Sequence, residues 1–527
     1  MIENVKKNRN LTIILATIVA LIGIWYALPQ TGLVFDEFFP GGVLRSISNH
    51  SILPIGQDIL YGTITYYLSY IFIVALLVLV FPFVGFHVSD LKIFMLQNIH
   101  LSYLTSRAVS LIAFVICVYT FYKICEYEKL SFKSSLYPIL LVFGSMIFIT
   151  TFHTTKVWPV SILLLLISIY FLYLFYKRDI PKHAFISILF SFLAFANFPV
   201  MGFGLISILF ILYRVRHRKD FIKKVFLYCF ISFILFALIS LINKSGIYAQ
   251  IHSILYDYTL SSQAKVTNIS ILHSFILNIY KIFNLYTLIF ISFIITILYK
   301  TKIRSKELFS IGAIYLIVYL LCISIVARWS TDLHSYLRYL IPAGLFLGII
   351  FISLEIKINR FNIIISIIAI LYLLKTLILL SVPTTGNQVY SWVKKNLNDE
   401  SVMVKRENLS NIQLPNNKIS SSIVQSQFCG TMCDAYITGM INSDFKSLIV
   451  TEQAKEQYNS LIREKEFKKI LITDSSHIDI NNRIKSFENG NRFLTFVPDI
   501  EQIGNYFDFG IFSLQRLGSN IYIYKLP

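Results

Sequence analysis

Residues 66–84 read YYLSYIFIVALLVLVFPFV, and whether this run crosses a membrane decides the topology of the whole chain. It is apolar and nearly as long as the roughly 20 residues that a helical crossing needs. Similar runs stand near 10–28, 106–124, 135–152, 158–176, 184–197, 200–213, 225–242, 276–299, 308–327, 338–354 and 361–381. Between them lie basic clusters: Lys123/Lys129/Lys133, Lys177/Arg178/Lys182, Arg214 to Lys224, Lys300 to Lys306, and Lys357/Arg360. Loops rich in Lys and Arg mark the cytoplasmic side. All five clusters share one side with Lys6, Lys7 and Arg9 under two conditions: 66–84 stops short of a full crossing, and 184–213 is a hairpin turning at Asn197-Phe198-Pro199. That arrangement puts 21 of the 31 basic residues in the first 382 on the inside. If 66–84 crosses, most of the clusters move outside. The run is therefore expected to be re-entrant or juxtamembrane, with about eleven spans, the N-terminus cytoplasmic and the C-terminus outside.

Composition agrees. Of 527 residues, 56% are hydrophobic and only 14% charged, with a mean hydropathy of +0.67. Soluble domains carry about 25% charged residues, so a soluble enzyme is excluded, and so is a disordered chain. The net charge of +19 sits in residues 1–382, which hold 31 basic and 13 acidic residues, against 16 and 15 in 383–527. The basic excess lies between apolar runs rather than along a soluble face, so no nucleic-acid partner is expected. Six cysteines make no disulfide scaffold.

The chain divides into a multi-span membrane domain, 1–382, and a tail, 383–527. Within the first, 29–65 reads as the first outer loop and 66–105 as a juxtamembrane or re-entrant segment. The tail reads as a small extracytoplasmic α/β domain, long enough to bury one core. In it, Val389–Asn396 is expected to form an amphipathic helix, Leu461–Thr473 a charged helix followed by a short strand from Lys469, and Ser513–Leu526 a strand or hairpin. Cys429 and Cys433 have the spacing of one helical turn, which leaves a disulfide open. No internal repeat is visible.

The outer loops hold the candidate chemistry. Asp36 and Glu37 follow the first span within Phe35-Asp36-Glu37-Phe38-Phe39-Pro40. Two acids among aromatics at a membrane surface are costly unless solvated or used, and they suit a carboxylate base above a lipid-embedded substrate. The plain alternative is an interfacial loop with aromatic anchors. The second outer loop carries His153 and Lys156. As chemistry, Lys156 suits a phosphate and His153 a sugar hydroxyl; as structure, both suit snorkelling or capping at a span end. A third cluster contains Arg328, Arg338 and Tyr339, and Arg107 opens a span on the same side. Arginine offers forked donors to phosphate oxygens. Gly-rich phosphate loops, HExxH and CxxC are absent, and no zinc site is expected.

Taken in order, these features resemble the GT-C membrane glycosyltransferases, particularly the branch of protein O-mannosyltransferases and lipid A aminoarabinose transferases. Asp36-Glu37 matches the family's acidic pair in the first outer loop. Tyr61–Tyr67 and the run after it resemble its Tyr-rich juxtamembrane segment. Ser106-Arg107-Ala108-Val109-Ser110 resembles its Arg-x-x-Ser span start. Phe195-Ala196-Asn197-Phe198-Pro199 falls at its short hairpin, with Asn197 where relatives often have Lys. Arg338-Tyr339-Leu340-Ile341-Pro342 matches Arg-Tyr-x-x-Pro, and Val389–Asn396 resembles the helix opening many of its outer domains. The resemblance covers nearly the whole chain, and order and sidedness carry it more than any single motif.

The resemblance implies an all-α polytopic GT-C-like fold with juxtamembrane helices between the first two spans. It also implies an inverting transfer of sugar from a polyprenyl-phosphate donor to a lipid, glycan or protein acceptor on the outer face. Asp36 would be the catalytic acid residue with Glu37 beside it. Lys156, His153, Arg107, Arg328, Arg338 and Tyr339 are the substrate-binding candidates. No cofactor is expected. Relatives often keep a second acid in the second outer loop where this chain has His153 and Lys156, which leaves dependence on a divalent metal and the acceptor type open. Other classes stand beside this one. A lipid-linked glycan ligase or polymerase would share the donor but carry a larger Arg-rich outer loop. A transporter would show polar groups inside its spans and a repeat, of which Lys375 is the one clear example. A non-catalytic lipid binder would need no Asp36.

Overall fold

The computed structural model describes residues 2–28, 37, 39–48, 50–54, 62–98, 100–243, 270–299, 302–326, 337–355 and 359–396, and six short strands between 402 and 525. Its described helices are α1 (Ile2–Leu21), α2 (Phe39–Ser48), α3 (Thr63–Val80), α4 (Val88–Gln97), α5 (His100–Tyr127), α6 (Phe132–Phe143), α7 (Met146–Phe152), α8 (Trp158–Arg178), α9 (Pro181–Asn197), α10 (Ile206–Val215), α11 (Lys219–Ile242), α12 (Ile271–Leu285), α13 (Thr287–Leu298), α14 (Lys306–Val326), α15 (Ile341–Ile352), α16 (Arg360–Ser381) and α17 (Thr385–Asn396).

Among the described residues, six helical segments are long and apolar enough to cross a membrane, or up to eight if each of two bent pairs counts as one span. The chain is a multi-pass membrane protein. One of the six contains residues 66–84: α3 continues through a 3-10 turn at Phe81–Val84 to give 22 helical residues. The segment expected to be re-entrant or juxtamembrane is thus unbroken helix with the length and composition of a crossing. The sequence predicts one span each over 135–152 and 276–299, with no bend. Instead, α6 and α7 meet at 71° across Gly144-Ser145, and α12 and α13 at 88° across Tyr286.

Packing is layered by burial. All twelve residues of α15 are buried, and most of α8 is. The outer helix α11 shows Leu227, Phe230, Phe233, Leu238 and Leu241 on its surface. Apolar side chains on that surface suit a lipid environment, where association depends on close fit rather than on hiding apolar groups. Small residues permit the fit. A Cβ at Gly348 would stand 2.5 Å from Val142 and 2.9 Å from the Phe121 ring. A buried serine network adds interhelical bonds: Ser191 Oγ lies 2.7 Å from Ser168 Oγ and 2.8 Å from Ser207 Oγ, joining α8, α9 and α10.

The hairpin turn falls where the sequence placed it. Helix α9 ends at Asn197, Phe198 is extended, and Pro199 opens a 3-10 segment to Leu205 that leads into α10. In the tail, α17 contains the expected amphipathic helix. The strands β1 (Val402–Lys405), β2 (Asn417–Ile419), β3 (Phe445–Val450), β4 (Ile470–Thr473), β5 (Asn491–Phe496) and β6 (Ile521–Lys525) form one mixed sheet in the order β2-β3-β1-β4-β6-β5. The β2–β3, β3–β1 and β1–β4 pairs are parallel; β4–β6 and β6–β5 are antiparallel. Strand β4 coincides with the strand read from Lys469. Strand β6 falls within the expected 513–526 segment and takes its antiparallel partners from β4 and β5. The expected helix from Leu461, and Cys429 and Cys433, lie outside the described residues.

Candidate functional site

The site is built around Arg107, on the second turn of α5. Its side chain and that of Glu37 are each 1% exposed. The guanidinium grips the carboxylate with two parallel bonds: Nε donates to Oε1 at 3.0 Å and Nη2 to Oε2 at 2.8 Å. Its remaining donor, Nη1, goes to the carbonyls of Ile24 at 2.9 Å and Tyr26 at 2.6 Å, in the chain leaving α1. Glu37 Oε1 also accepts from the Thr155 amide at 2.7 Å. Burying two charges is costly, and the cost is offset only when geometry is good and the other donors and acceptors are satisfied. Both conditions hold here. The pair therefore ties the end of α1, the residue after Asp36, the start of α5 and the turn between α7 and α8 into one block.

His153 reinforces the block. It is buried, with Nδ1 2.6 Å from the Ile149 carbonyl and Nε2 2.9 Å from the Ile22 carbonyl. Burial pushes the imidazole below its ordinary value of 6.5; the two carbonyls pull it up, and Arg107 pushes it further down. Beside it, Ser110 Oγ donates to the Thr154 carbonyl at 2.7 Å.

A second knot surrounds Asn197. Its carbonyl accepts from the Gly62 amide at 2.7 Å, its Oδ1 accepts from the Thr65 amide at 3.0 Å, and its Nδ2 donates to Ser161 Oγ at 2.8 Å. An asparagine on α9 thus caps the first turn of α3 from outside, satisfying donors that a helix start leaves free. Gly62, at φ 88°, has room for no side chain: a Cβ would stand 2.4 Å from the Phe39 ring. The 3-10 turn Leu337–Leu340 joins through Trp158, whose ring meets Phe198 at 4.7 Å and Tyr339 at 5.2 Å, both edge-on. Tyr319 donates to the Tyr339 carbonyl, and the Arg338 guanidinium lies 5.6 Å from the Tyr339 ring centre.

Of the residues singled out from sequence, Glu37, Arg107, His153, Lys156, Arg338 and Tyr339 are described. They lie on elements that converge at one end of the bundle. Asp36 and Arg328 lie outside the described residues. Arg107 has its guanidinium on Glu37 and main-chain carbonyls rather than open toward a substrate. His153 likewise faces main chain at both ring nitrogens. Sequence reasoning missed Thr155 and Trp158, which touch the block through a main-chain amide and a ring edge. Neither leaves a pattern in the sequence. Among the described residues, the hydroxyls of Ser106 and Thr155, next to the ion pair, are buried without a hydrogen-bond partner, and no three His, Cys, Asp or Glu residues gather as a metal site.

No family model matches the chain, and no curated protein does. Among solved structures, the chain is similar to the crystal structure of ArnT from Cupriavidus metallidurans bound to undecaprenyl phosphate. The likeness has a TM-score of 0.46 and 8% identity, and it covers 97% of this chain and 97% of that one.

Proposed function

We propose that the chain is an inverting membrane glycosyltransferase of the GT-C type. It takes a sugar from a polyprenyl-phosphate donor to a hydroxyl on a lipid, glycan or protein at the outer face, with the tail domain on that same side. The observation that carries this reading is the buried Glu37–Arg107 pair. A protein that needed only to anchor a loop has no cause to bury two charges. A protein that must hold the adjacent carboxylate, Asp36, at a set place over the membrane has one.

In this reading Asp36 takes the proton of the acceptor hydroxyl as general base. The freed oxygen bonds to the anomeric carbon from the face opposite the phosphate. The bond from that carbon to the phosphate oxygen breaks, its electron pair leaves on the polyprenyl phosphate, and the sugar inverts. Lys156, Arg338 and Arg328 supply positive charge for the leaving phosphate, and Tyr339 lines the same turn. Arg107 and Glu37 are positioning residues that keep the first outer loop in register.

The test uses washed membranes with the wild type or Asp36→Asn and a panel of radiolabelled polyprenyl-phosphate sugars. The expected result is label leaving the donor lipid only with the wild type, a loss of activity of about 100-fold or more in the variant, as expected for a general base. Equal transfer by a folded Asp36→Asn protein overturns the assignment of Asp36. No transfer by the wild type with any donor favours a non-catalytic lipid binder.

A further inference from the structure

The stretch from Ile22 to Leu28, which leaves α1 for the first outer loop, is held from outside at every second carbonyl. Its own amides close short turns: Ile24 bonds to the Leu21 carbonyl at 3.3 Å, and Tyr26 to Gly23 and Leu28 to Trp25 at 2.9 Å each. The other carbonyls go to side chains of distant elements. His153 Nε2 lies 2.9 Å from the Ile22 carbonyl, and Arg107 Nη1 donates to those of Ile24 and Tyr26. The last of the series, Leu28, accepts from Asn387 Nδ2 at 2.6 Å. His153 and Arg107 belong to the membrane domain. Asn387 belongs to the tail, on the first turn of α17.

Local sequence orients Asn387. Thr384 precedes α17 and Asn387 is the third residue of the helix, which is the spacing of a capping box. The two bond reciprocally. The Thr384 amide donates to Asn387 Oδ1 at 3.3 Å, and the Asn387 amide donates to Thr384 Oγ1 at 3.3 Å. The Thr384 hydroxyl also donates to Oδ1, at 2.5 Å. The cap thus fixes Oδ1 and leaves Nδ2 to reach Leu28.

What that bond holds is strained. Ala27, 4% exposed, stands between the Tyr26 carbonyl on Arg107 and the Leu28 carbonyl on Asn387, and its φ is 60°. A side chain disfavours this left-handed state, which persists only where the surroundings over-determine it. Neighbouring contacts tighten the seat: a Cβ at Gly23 would stand 2.7 Å from Leu380 Cβ, and Trp25 Nε1 donates to the Ser381 carbonyl at 3.4 Å. Asp36 stands eight positions beyond Leu28, and Glu37 after it is fixed on Arg107. The first outer loop is therefore pinned at its far end by the membrane domain and at its near end by the tail.

We propose that Asn387 is a positioning residue for sugar transfer. By holding Leu28 it keeps the Ala27 turn in its strained state and so sets where the first outer loop departs toward Asp36. The tail takes part in the reaction through this latch. The proposal rests on the transferase reading, with Asp36 as the base.

The full-length protein is purified as wild type, Asn387→Asp, Ala27→Gly and the double variant. Aspartate keeps a capping oxygen and removes the donor to Leu28, so α17 stays capped. Transfer is followed with labelled donor, and hydrogen exchange is read at the amides of Tyr26 and Leu28. Asn387→Asp is expected to lower kcat about 10- to 100-fold, the scale of a small misplacement of a reacting group. The KM for donor should change little, and both amides should exchange faster. Glycine takes φ 60° without strain. Adding Ala27→Gly to Asn387→Asp should therefore restore a good part of kcat, a coupling that a general loss of stability would not show. A kcat unchanged in folded Asn387→Asp overturns the proposal. A lowered kcat with exchange unchanged overturns the route through Leu28. No recovery in the double variant overturns the part given to Ala27. A wild type that transfers no sugar from any donor overturns the transferase reading; faster exchange in Asn387→Asp then leaves the latch standing, and unchanged exchange overturns that as well. Should Asn387→Asp fail to fold, folded Asn387→Ser, which keeps a capping oxygen but not the reach, replaces it under the same criteria.

Discussion

At one end of the bundle, Arg107 and Glu37 meet at 1% exposure, with two bonds between them and Nη1 of the guanidinium on two carbonyls. At the opposite end, Arg9 meets Glu126 at 32% and 27% exposure, and Lys123 shares the same carboxylate at 2.6 Å. Around them, Arg218 pairs with Asp179 at 2.5 Å, and Lys177 lies 3.8 Å from Glu128 and 3.6 Å from Glu307. Tyr173 donates to Glu128, and the Arg304 guanidinium donates to the Glu128 carbonyl at 2.9 Å. The Arg9 end thus spreads many partly wet pairs along the helix ends, as a membrane surface rich in basic loops would. At the Glu37 end, the Arg107–Glu37 pair is dry. The first arrangement tolerates the loss of a member because water takes its place. The second does not.

The sharpest way to break this contrast is Arg107→Ala. Removing one partner strands Glu37 without water, and a buried pair so broken costs about 3–5 kcal/mol. Thermal unfolding in detergent should show the largest drop of any single charge removal. The paired change Arg107→Met with Glu37→Gln should recover a good part of it, since replacing both charges with uncharged groups of similar size removes the stranded carboxylate. Recovered stability with sugar transfer still lost would separate the fold's need for the pair from its positioning role at Asp36. A melting temperature unchanged by Arg107→Ala would show that water reaches Glu37, and the contrast between the two ends would collapse.

His153 sharpens the same comparison by pH. A neutral imidazole carries one N–H, so one of the carbonyls of Ile149 and Ile22 faces a bare ring nitrogen; the imidazolium would satisfy both. Burial nonetheless dominates and depresses the folded value. The unfolded chain then takes up its proton at a higher pH than the folded one, so stability is full above about 6.5 and falls as pH drops through the lowered folded value. Melting measured at several pH values should show this acid loss, and His153→Gln should reduce its slope. A protein that becomes more stable on acidification, with the effect abolished by His153→Gln, would show that the two carbonyls outweigh burial.

How much of this was legible in the sequence depends on range. The basic clusters were legible as breaks between apolar runs because a loop's charge is local. The turn at Asn197-Phe198-Pro199 was legible because proline restricts its neighbour and opens a new helical start. Asp36-Glu37 was legible as a pair, but the partner of Glu37 was not. Arg107 stands seventy positions away, and nothing in either segment names the other. The bend at Tyr286 was missed because 276–299 was read for length and hydropathy alone. The period of Ser274, Asn278 and Lys281 was in plain view, and it marks a helix with one face turned inward. Asn197 looked like a departure from a family pattern; in the structure it caps α3, a role set by Gly62 and Thr65 more than a hundred residues earlier.

The smallest expected effect closes the comparison. Arg9→Gln removes one partly exposed partner and leaves Lys123 on Glu126. Exposed pairs are worth about 0–1 kcal/mol and weaken as salt screens them. The melting difference between wild type and Arg9→Gln should therefore be small in low salt and shrink further in high salt. The difference for Arg107→Ala should stay the same across that range, because ions do not reach a pair buried on both sides. Salt dependence is thus the measurement that reads burial directly. If both variants respond to salt alike, the Glu37 end is as wet as the Arg9 end, and Asp36 has no dry neighbour to hold it in place.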